Sequence, residues 1–181
     1  MIKSTIYILF ALLLFTGINH SQIKKVDPGA SIGIGEIKSN SPSVTALGGT
    51  IFFDFTMWFS EDVWIRTGFS YMRKLEYFLP ENREGRAYPF MKLFSLEGVI
   101  QQQFTNIIFV EESAGLIYLN DRTFGVNEWM LGTQFSALCA LDFTDSLRSG
   151  SRVGLGFKYG ITFTNTNADY YSLFVQYKLF L

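Results

Sequence analysis

The chain has 181 residues, of which 48% are hydrophobic and 17% charged, and its formal net charge is -1. This balance leaves no basic excess to neutralise a phosphate backbone, so it argues against a nucleic-acid partner. An aromatic fraction of 17% is far above that of a disordered chain. The single cysteine, Cys139, rules out an internal disulfide and a paired-cysteine metal site.

The first segment has the organisation of a secretory signal peptide. A short positive start precedes an apolar run at 6–15, and the polar TGINHSQ follows. The run is shorter than the roughly 20 apolar residues that a transmembrane helix needs. We expect 1–21 to be the signal peptide, with cleavage after Ser21. Residues 22–181 then form one domain, which contains no histidine because the one histidine of the chain is His20.

The remainder alternates between apolar and small or polar residues with period two, which predicts strands. In the clearest stretch, Ile51, Phe53 and Phe55 share one parity, while Thr50 and Asp54 share the other. Seven clusters of turn-forming residues separate eight predicted strands. These span about 29–38, 45–59, 63–78, 88–103, 107–119, 128–143, 152–163 and 169–181.

Strands four and five fit the alternation less well. Lys92 falls on the apolar parity of strand four, and Glu112 falls on that of strand five. A β-bulge near Glu111 and Glu112, or exposure of Lys92 close to a rim, would reconcile these two strands with the alternation, and the sequence leaves the facing of Lys92 and Glu112 open.

The apolar parity is continuous and rich in Phe, Leu, Ile and Val, whereas the other parity holds mainly Gly, Ser, Thr and Gln. A water-soluble barrel would need charges over its outside, and these strands have few. The pattern predicts an all-β fold, an eight-stranded antiparallel up-and-down transmembrane β-barrel with its apolar parity in lipid.

Aromatic residues recur on the apolar parity where the strands meet one rim. This arrangement is typical of an aromatic girdle at the headgroup boundary. The predicted girdle consists of Tyr77, Tyr88, Tyr118, Trp129, Phe163 and Tyr171.

The last strand carries apolar residues at alternate positions, namely Tyr171, Leu173, Val175, Tyr177, Leu179 and Leu181. With the signal peptide and the eight strands, this segment resembles the small outer-membrane β-barrels of Gram-negative bacteria. That group includes the transmembrane domain of outer-membrane protein A and the OmpX-like barrels. The resemblance implies an outer-membrane location, contact with membrane lipid and insertion by the barrel-assembly machinery. Leu181 stands where the family usually ends in phenylalanine.

Charged residues on the inward parity predict a polar network that fills the barrel. Its candidate members are Asp54, Arg66, Lys74, Glu97, Glu111, Asp142, Lys158 and Lys178. Folding strands two and three about 60–62 sets Asp54 opposite Gly68, one diagonal step from Arg66, with Glu97 also in reach. We interpret the network as structural. An ion-conducting lumen and a catalytic carboxylate pair among Asp54, Glu97 and Glu111 are the alternatives.

The chemistry available to the domain is limited. Without histidine, 22–181 cannot build a Ser/His/Asp set or a histidine metal site. Residues 165–169 have oxygen ligands at alternate positions but lack the rest of a calcium loop, which favours an ordinary polar turn. We therefore expect no enzymatic activity, no cofactor and no metal.

An even number of strands places both termini in the periplasm and the loops around 39–43, 79–87, 120–127 and 164–168 outside. Loop residues suited to an interaction are Arg83, Arg86, Arg122 and Phe124. The sequence favours a monomeric, non-enzymatic outer-membrane protein that acts in envelope integrity or surface interaction with a partner it does not identify. A small pore or a subunit of a transport or secretion complex is one alternative. A soluble lipocalin-like carrier of an apolar ligand is another.

Overall fold

The computed structural model describes residues 23–39, 42–79, 88–123, 127–144, 150–164 and 168–180. The predicted signal peptide, 1–21, lies outside the described residues. The eight strands are β1 (Ile23–Lys38), β2 (Val44–Met57), β3 (Val63–Lys74), β4 (Phe90–Gln103), β5 (Ile108–Asp121), β6 (Glu128–Asp142), β7 (Gly150–Thr162) and β8 (Asp169–Phe180). They form one closed barrel in chain order, with antiparallel neighbours and β1 paired to β8. The predicted eight-stranded antiparallel barrel is confirmed.

The alternation of side chains across the barrel wall follows the sequence pattern. Along β2, Ile51 is 62% exposed, Phe52 is 2% exposed and Phe53 is 45% exposed. Successive side chains of a strand point to opposite faces, so the apolar parity forms the outer face and the other parity fills the interior. Among the described residues, no helix has the length and apolar character required to cross a membrane.

Two strand boundaries differ from the prediction. β1 begins at Ile23 rather than near 29. Its first residues, up to Pro28, pair with β2 on one side only, where a proline can be accommodated. The pairing of β1 with β8 reaches only to Gly29, so the absent N–H of Pro28 costs no hydrogen bond on that side. β3 ends at Lys74 rather than at 78, and a 3-10 helix (Leu75–Phe78) follows it.

The β-bulge considered near Glu111 is absent. Pairing between β4 and β5 runs without a shift from Met91↔Asp121 to Gln103↔Phe109. Glu111 therefore points into the barrel, where it is 2% exposed, and Glu112 points outward and is exposed. Lys92 also lies on the outer face, where its ammonium group is 5.5 Å from the ring centre of Phe90.

The two rims of the barrel are defined by their connections. We call the rim that joins β1 to β2, β3 to β4, β5 to β6 and β7 to β8 the loop rim, and the opposite one the turn rim. Beneath the loop rim the interior is filled by an apolar cluster of Ile37, Ala46, Met72, Met91, Leu93, Ile117, Leu119, Met130, Ala168 and Tyr170. β4 and β5 supply four members, which explains why their sequences are apolar on both parities.

Glycine is required where neighbouring strands approach closely. A Cβ atom added at Gly35 would lie 1.8 Å from the carbonyl oxygen of Tyr171, and one at Gly115 would lie 2.1 Å from that of Leu96. Both obstacles are backbone atoms and cannot rotate away. These glycines therefore let the strands close around the packed interior.

Candidate functional site in the barrel interior

The centre of the charged interior is Arg66, which β3 points into the barrel at 6% exposure. Its Nε and Nη2 atoms donate to Oδ1 and Oδ2 of Asp54 at 2.6 and 2.8 Å, and Nη2 also lies 3.1 Å from Oε2 of Glu111. Asp54 comes from the paired strand β2, whereas Glu111 comes from β5. The guanidinium group also lies 4.2 Å from the ring centre of Phe52.

A second arginine extends this cluster toward the turn rim. Arg152 on β7 is 4% exposed, and its Nη1 lies 3.1 Å from Oε1 of Glu111. It also binds the carboxylate of Asp142 on the adjacent strand β6. Gln176 on β8 joins the two halves, because its Nε2 donates to Glu111 at 3.3 Å and its Oε1 accepts from Arg66 at 3.4 Å.

Lys178 completes the cluster from the last strand. Its ammonium group is fully buried, lies 2.7 Å from Oδ2 of Asp54 and sits 3.4 Å from the ring centre of Trp64. We call the set of Asp54, Arg66, Glu111, Asp142, Arg152 and Lys178 the interior ion cluster. It contains three carboxylates and three cations, so it is neutral as a unit. Each of its buried charges has an opposite charge within ion-pair distance.

Two predicted members take other partners. Lys74 lies at the end of β3, where its ammonium group pairs with Glu76 of the 3-10 helix at 2.8 Å. Lys74 is the last residue of β3 and pairs in register with the inward-facing Ala46, so its half-buried side chain keeps the inward parity but lies at the loop rim, outside the charged centre of the barrel. Glu97 is buried and accepts from the hydroxyls of Ser95 at 2.9 Å and Ser113 at 2.6 Å, and no ion pair joins it to another described residue.

The hairpin register also differs from the prediction by two residues. Asp54 lies directly opposite Arg66, and Gly68 lies opposite Phe52. Arg66 is directly opposite Glu97 on its other side. Its guanidinium group nevertheless turns to Asp54 and to Glu111 of β5, a strand that β4 separates from β3.

Lys158 stands apart from the interior ion cluster. Its ammonium group is 5.3 Å from the ring centre of Phe174 and lies beside a cavity of about 20 Å³. Ser31, Thr50 and Ser70 also line that cavity, and the hydroxyls of Thr50 and Ser70 are 2.7 Å apart. A space of this size holds about one water molecule.

Sequence analysis did not single out Arg152 and Gln176 as members of the cluster. Arg152 shares the inward parity of β7, so parity alone could have identified it as a candidate. Gln176 is one of many small or polar inward residues, and no local signal separates it from them. Its role follows from the closure of β8 onto β1, which carries it to the side of Arg66.

Four of the six predicted girdle residues point outward near the loop rim. Exposure is 48% for Tyr118, 45% for Trp129, 62% for Phe163 and 41% for Tyr171. The rings of Tyr118 and Trp129 stack with their centres 4.7 Å apart.

The other two residues differ because β3 ends early and β4 begins late. Tyr77 belongs to the 3-10 helix, where its ring centre lies 3.3 Å from the guanidinium group of Arg73. Tyr88 precedes β4 and is 7% exposed, packed against Tyr77 at 5.7 Å between ring centres. The turn rim carries an aromatic set of its own, made of Trp58, Phe59, Phe104 and Phe143, each at least 60% exposed.

Of the four predicted loop residues, Arg122 is described and is exposed directly after β5. Its backbone N–H donates to the carbonyl of Phe90 at 3.1 Å. Arg83, Arg86 and Phe124 lie outside the described residues. Beside Arg122, buried Asp121 accepts from the hydroxyl of Ser39 and from the backbone N–H of Thr123, which ties the β1–β2 connection to the β5–β6 connection.

The charged groups of the interior are paired with one another. All three carboxylates of the interior ion cluster are engaged with arginine or lysine. Within the part of the chain that the structure describes, no group of three or more Asp, Glu, His or Cys side chains is arranged to hold a metal ion. The arrangement neutralises buried charge and fixes the strands against one another.

Comparison with known proteins gives a structural likeness. No family model and no curated protein sequence matches the chain. Among solved structures, neisserial surface protein A is similar with a TM-score of 0.57 and 10% identity, over 86% of this chain and 97% of that one. Ail of Yersinia pestis has a TM-score of 0.48 and 12% identity, over 85% and 99% of the two chains. The N-terminal β-barrel domain of Pseudomonas aeruginosa OprF has a TM-score of 0.46 and 14% identity, over 83% and 96%.

At such identities the likeness concerns the fold alone. It agrees with the apolar outer face, the closed eight-stranded order and the aromatic rims described above. The chain has the fold of the small eight-stranded outer-membrane β-barrels.

Proposed function

We propose that this chain is a non-enzymatic outer-membrane protein that serves envelope integrity or surface interaction through its loop rim. The observation that carries the proposal is the filled interior. An apolar cluster occupies the lumen beneath the loop rim, and the interior ion cluster occupies it toward the turn rim. The barrel wall faces lipid, so the surface left for recognition is the loop rim.

The filled interior argues against transport of a solute. Eight strands enclose a space just wide enough for side chains, whereas aqueous porins use about 16–18 strands. Here Tyr170, Met91 and Leu93 fill the cross-section near the loop rim, each at most 1% exposed. The cavity beside Lys158, at about 20 Å³, has no room for more than about one water molecule.

The loop rim carries an exposed arginine next to a hydrogen-bonded part of the backbone. Arg122 projects from a position where Asp121, fully buried, binds both Ser39 and Thr123. We extend the proposal to Arg83, Arg86 and Phe124, which add two positive charges and one apolar anchor to the same rim. Export by the 1–21 segment, insertion by the assembly machinery and residence in the Gram-negative outer membrane are parts of this proposal.

The test measures the conductance of the reconstituted protein and the effect of replacing its loop segments. The purified chain is reconstituted in planar bilayers, and a variant has 80–87 and 122–127 replaced by short Gly/Asn turns. The matched control replaces 145–149 at the turn rim. In cells, entry of a hydrophobic dye reports envelope integrity, and aggregation of producing cells reports surface interaction.

We expect no steady conductance steps from any variant. Loop-rim replacement should leave folding intact while removing the cellular effect, and the turn-rim control should keep it. Open-channel currents that survive loop replacement would favour the small pore. A cellular effect unchanged by loop replacement would refute the role of the loops.

A further inference from the structure

Glu112 is a carboxylate on the outer, lipid-facing side of the barrel. It is exposed on β5, and continuous pairing on both sides of the strand leaves no bulge that could turn it inward. Within the described residues, no hydrogen bond or ion pair joins Glu112 to another side chain. The carboxylate therefore meets the membrane without a partner from the described part of its own chain.

The position of Glu112 along β5 places it inside the apolar band. Ile108 and Val110 precede it on the outer face, and Leu116 and Tyr118 follow it. With a rise of about 3.4 Å per residue and a tilt of about 40°, it lies roughly 10 Å along the membrane normal from Ile108 and roughly 16 Å from Tyr118. Ionisable groups at such depth are costly unless they are paired.

The surface around Glu112 is recessed. Three outward residues near it, Gly98, Ala114 and Ala137, are small, and larger side chains border them, namely Ile100 directly opposite Glu112 on β4, Phe135, Phe157 and Tyr159. Together they form an open groove of about 410 Å³, which we call the Glu112 groove. Small outward residues let a second membrane-embedded surface approach the backbone closely.

Among the described residues that line the groove, none is a cation. The outward-facing Lys92 pairs in register with Asn120, eight residues along β5 from Glu112, which is roughly 21 Å along the normal. All copies of a membrane protein have the same orientation. A twofold axis along the membrane normal therefore places each residue and its copy at the same depth, and a residue close to the axis lies next to its copy. A carboxyl group is complementary to itself, because one donates a proton that the other accepts.

We propose that two copies of this chain associate in the membrane through the Glu112 groove, about a twofold axis parallel to the membrane normal. The two Glu112 carboxyl groups face each other at the axis within hydrogen-bonding distance, and the rings of Phe135 and Phe157 of each copy cover the small residues of the other. This departs from the monomer expected from the sequence. It is independent of the proposed function, since the loop rim stays free in the pair.

Cross-linking through the natural thiol tests this contact with Glu112 unchanged. Cys139 is exposed on the outer face of β6, two residues from Ala137, and lies opposite Val110 of β5. The full chain in phospholipid vesicles at low protein density is treated with a short bis-maleimide. The control carries Cys139→Ala with Ile51→Cys, whose site is 62% exposed on β2, away from the groove. We expect dimers from Cys139 and at least tenfold fewer from position 51.

Filling the groove should prevent the association. A Cβ added at Gly98 meets only the carbonyl oxygen of Ala114 at 3.9 Å, so Gly98→Leu is compatible with the barrel. The matched control is Gly49→Leu on the outer face of β2, where an added Cβ meets the carbonyl oxygen of Ser31 at 3.5 Å. Gly98→Leu and Glu112→Leu should each lower the dimer fraction at least tenfold, whereas Gly49→Leu should not change it. Folding of every variant is checked by the heat-dependent gel shift.

Three results would overturn the proposal. The first is a chain that stays monomeric at every protein-to-lipid ratio, as it would if lipid alone filled the groove. The second is equal cross-linking at positions 139 and 51, which would indicate random collision. The third is an unchanged dimer fraction in folded Gly98→Leu protein. None of these depends on conductance or on a loop phenotype, so they are separable from the test of the proposed function.

Discussion

The interior ion cluster makes a specific prediction about Asp54 and Lys178. Asp54 accepts two hydrogen bonds from Arg66 and pairs with Lys178, and all three side chains are buried. Asp54→Leu leaves three cations against two carboxylates. Lys178 then loses its ion-pair partner, while Arg66 keeps Glu111. Lys178→Met leaves Asp54 still bound by both hydrogen bonds from Arg66.

The expected change in the free energy of unfolding depends on which buried charge loses its ion-pair partner. Removing the partner of a buried charge costs about 3–5 kcal/mol, so Asp54→Leu should lower the free energy of unfolding by that amount. Lys178→Met should cost about 1 kcal/mol, because no unpaired charge remains. The double variant is again neutral, with two carboxylates and two cations. It should recover about 2 kcal/mol relative to Asp54→Leu alone.

Urea unfolding in phospholipid vesicles measures this cycle. Trp64 packs against Lys178 and reports on the site by fluorescence. Glu76→Ala is the control, because it breaks the partly exposed Lys74–Glu76 pair and should cost less than about 1 kcal/mol. A double variant no more stable than Asp54→Leu would refute the claim that the unpaired charge of Lys178 is what destabilises Asp54→Leu.

The remaining predictions concern the wall and the lumen. Phe53→Arg on the outer face should lower the free energy of unfolding in bilayers by about 2–4 kcal/mol, and Phe59→Arg at the turn rim by about 0–1 kcal/mol; equal costs would refute the assignment of the outer face to lipid. Gly35→Ala should prevent barrel closure, since its Cβ would lie 1.8 Å from the carbonyl oxygen of Tyr171, whereas Gly98→Ala should fold normally by the gel shift. Reconstituted protein should show no steady conductance, as argued for the filled lumen, and regular channel steps would contradict that filling.

Lys92 and Glu112 show both the strength and the limit of the sequence pattern. Each falls on the apolar parity, and each lies on the outer face of the barrel. A β-bulge near Glu111 and Glu112 would have turned the second carboxylate away from the apolar parity. The backbone kept its regular pairing instead, so the cost of a carboxylate in lipid has to be met by what the outer face contacts.

The sequence alone determined the strand number, the barrel class and the face of almost every residue. It could do so because the period of two is local: once the backbone is extended, neighbours such as Phe52 and Phe53 must point to opposite sides. The tertiary structure decided which inward charges meet. Arg66 binds Glu111 from β5, beyond the neighbouring strand, and Gln176 from the last strand, while Glu97, directly opposite Arg66, binds hydroxyls. Those contacts depend on the shear and closure of all eight strands, which no local pattern encodes.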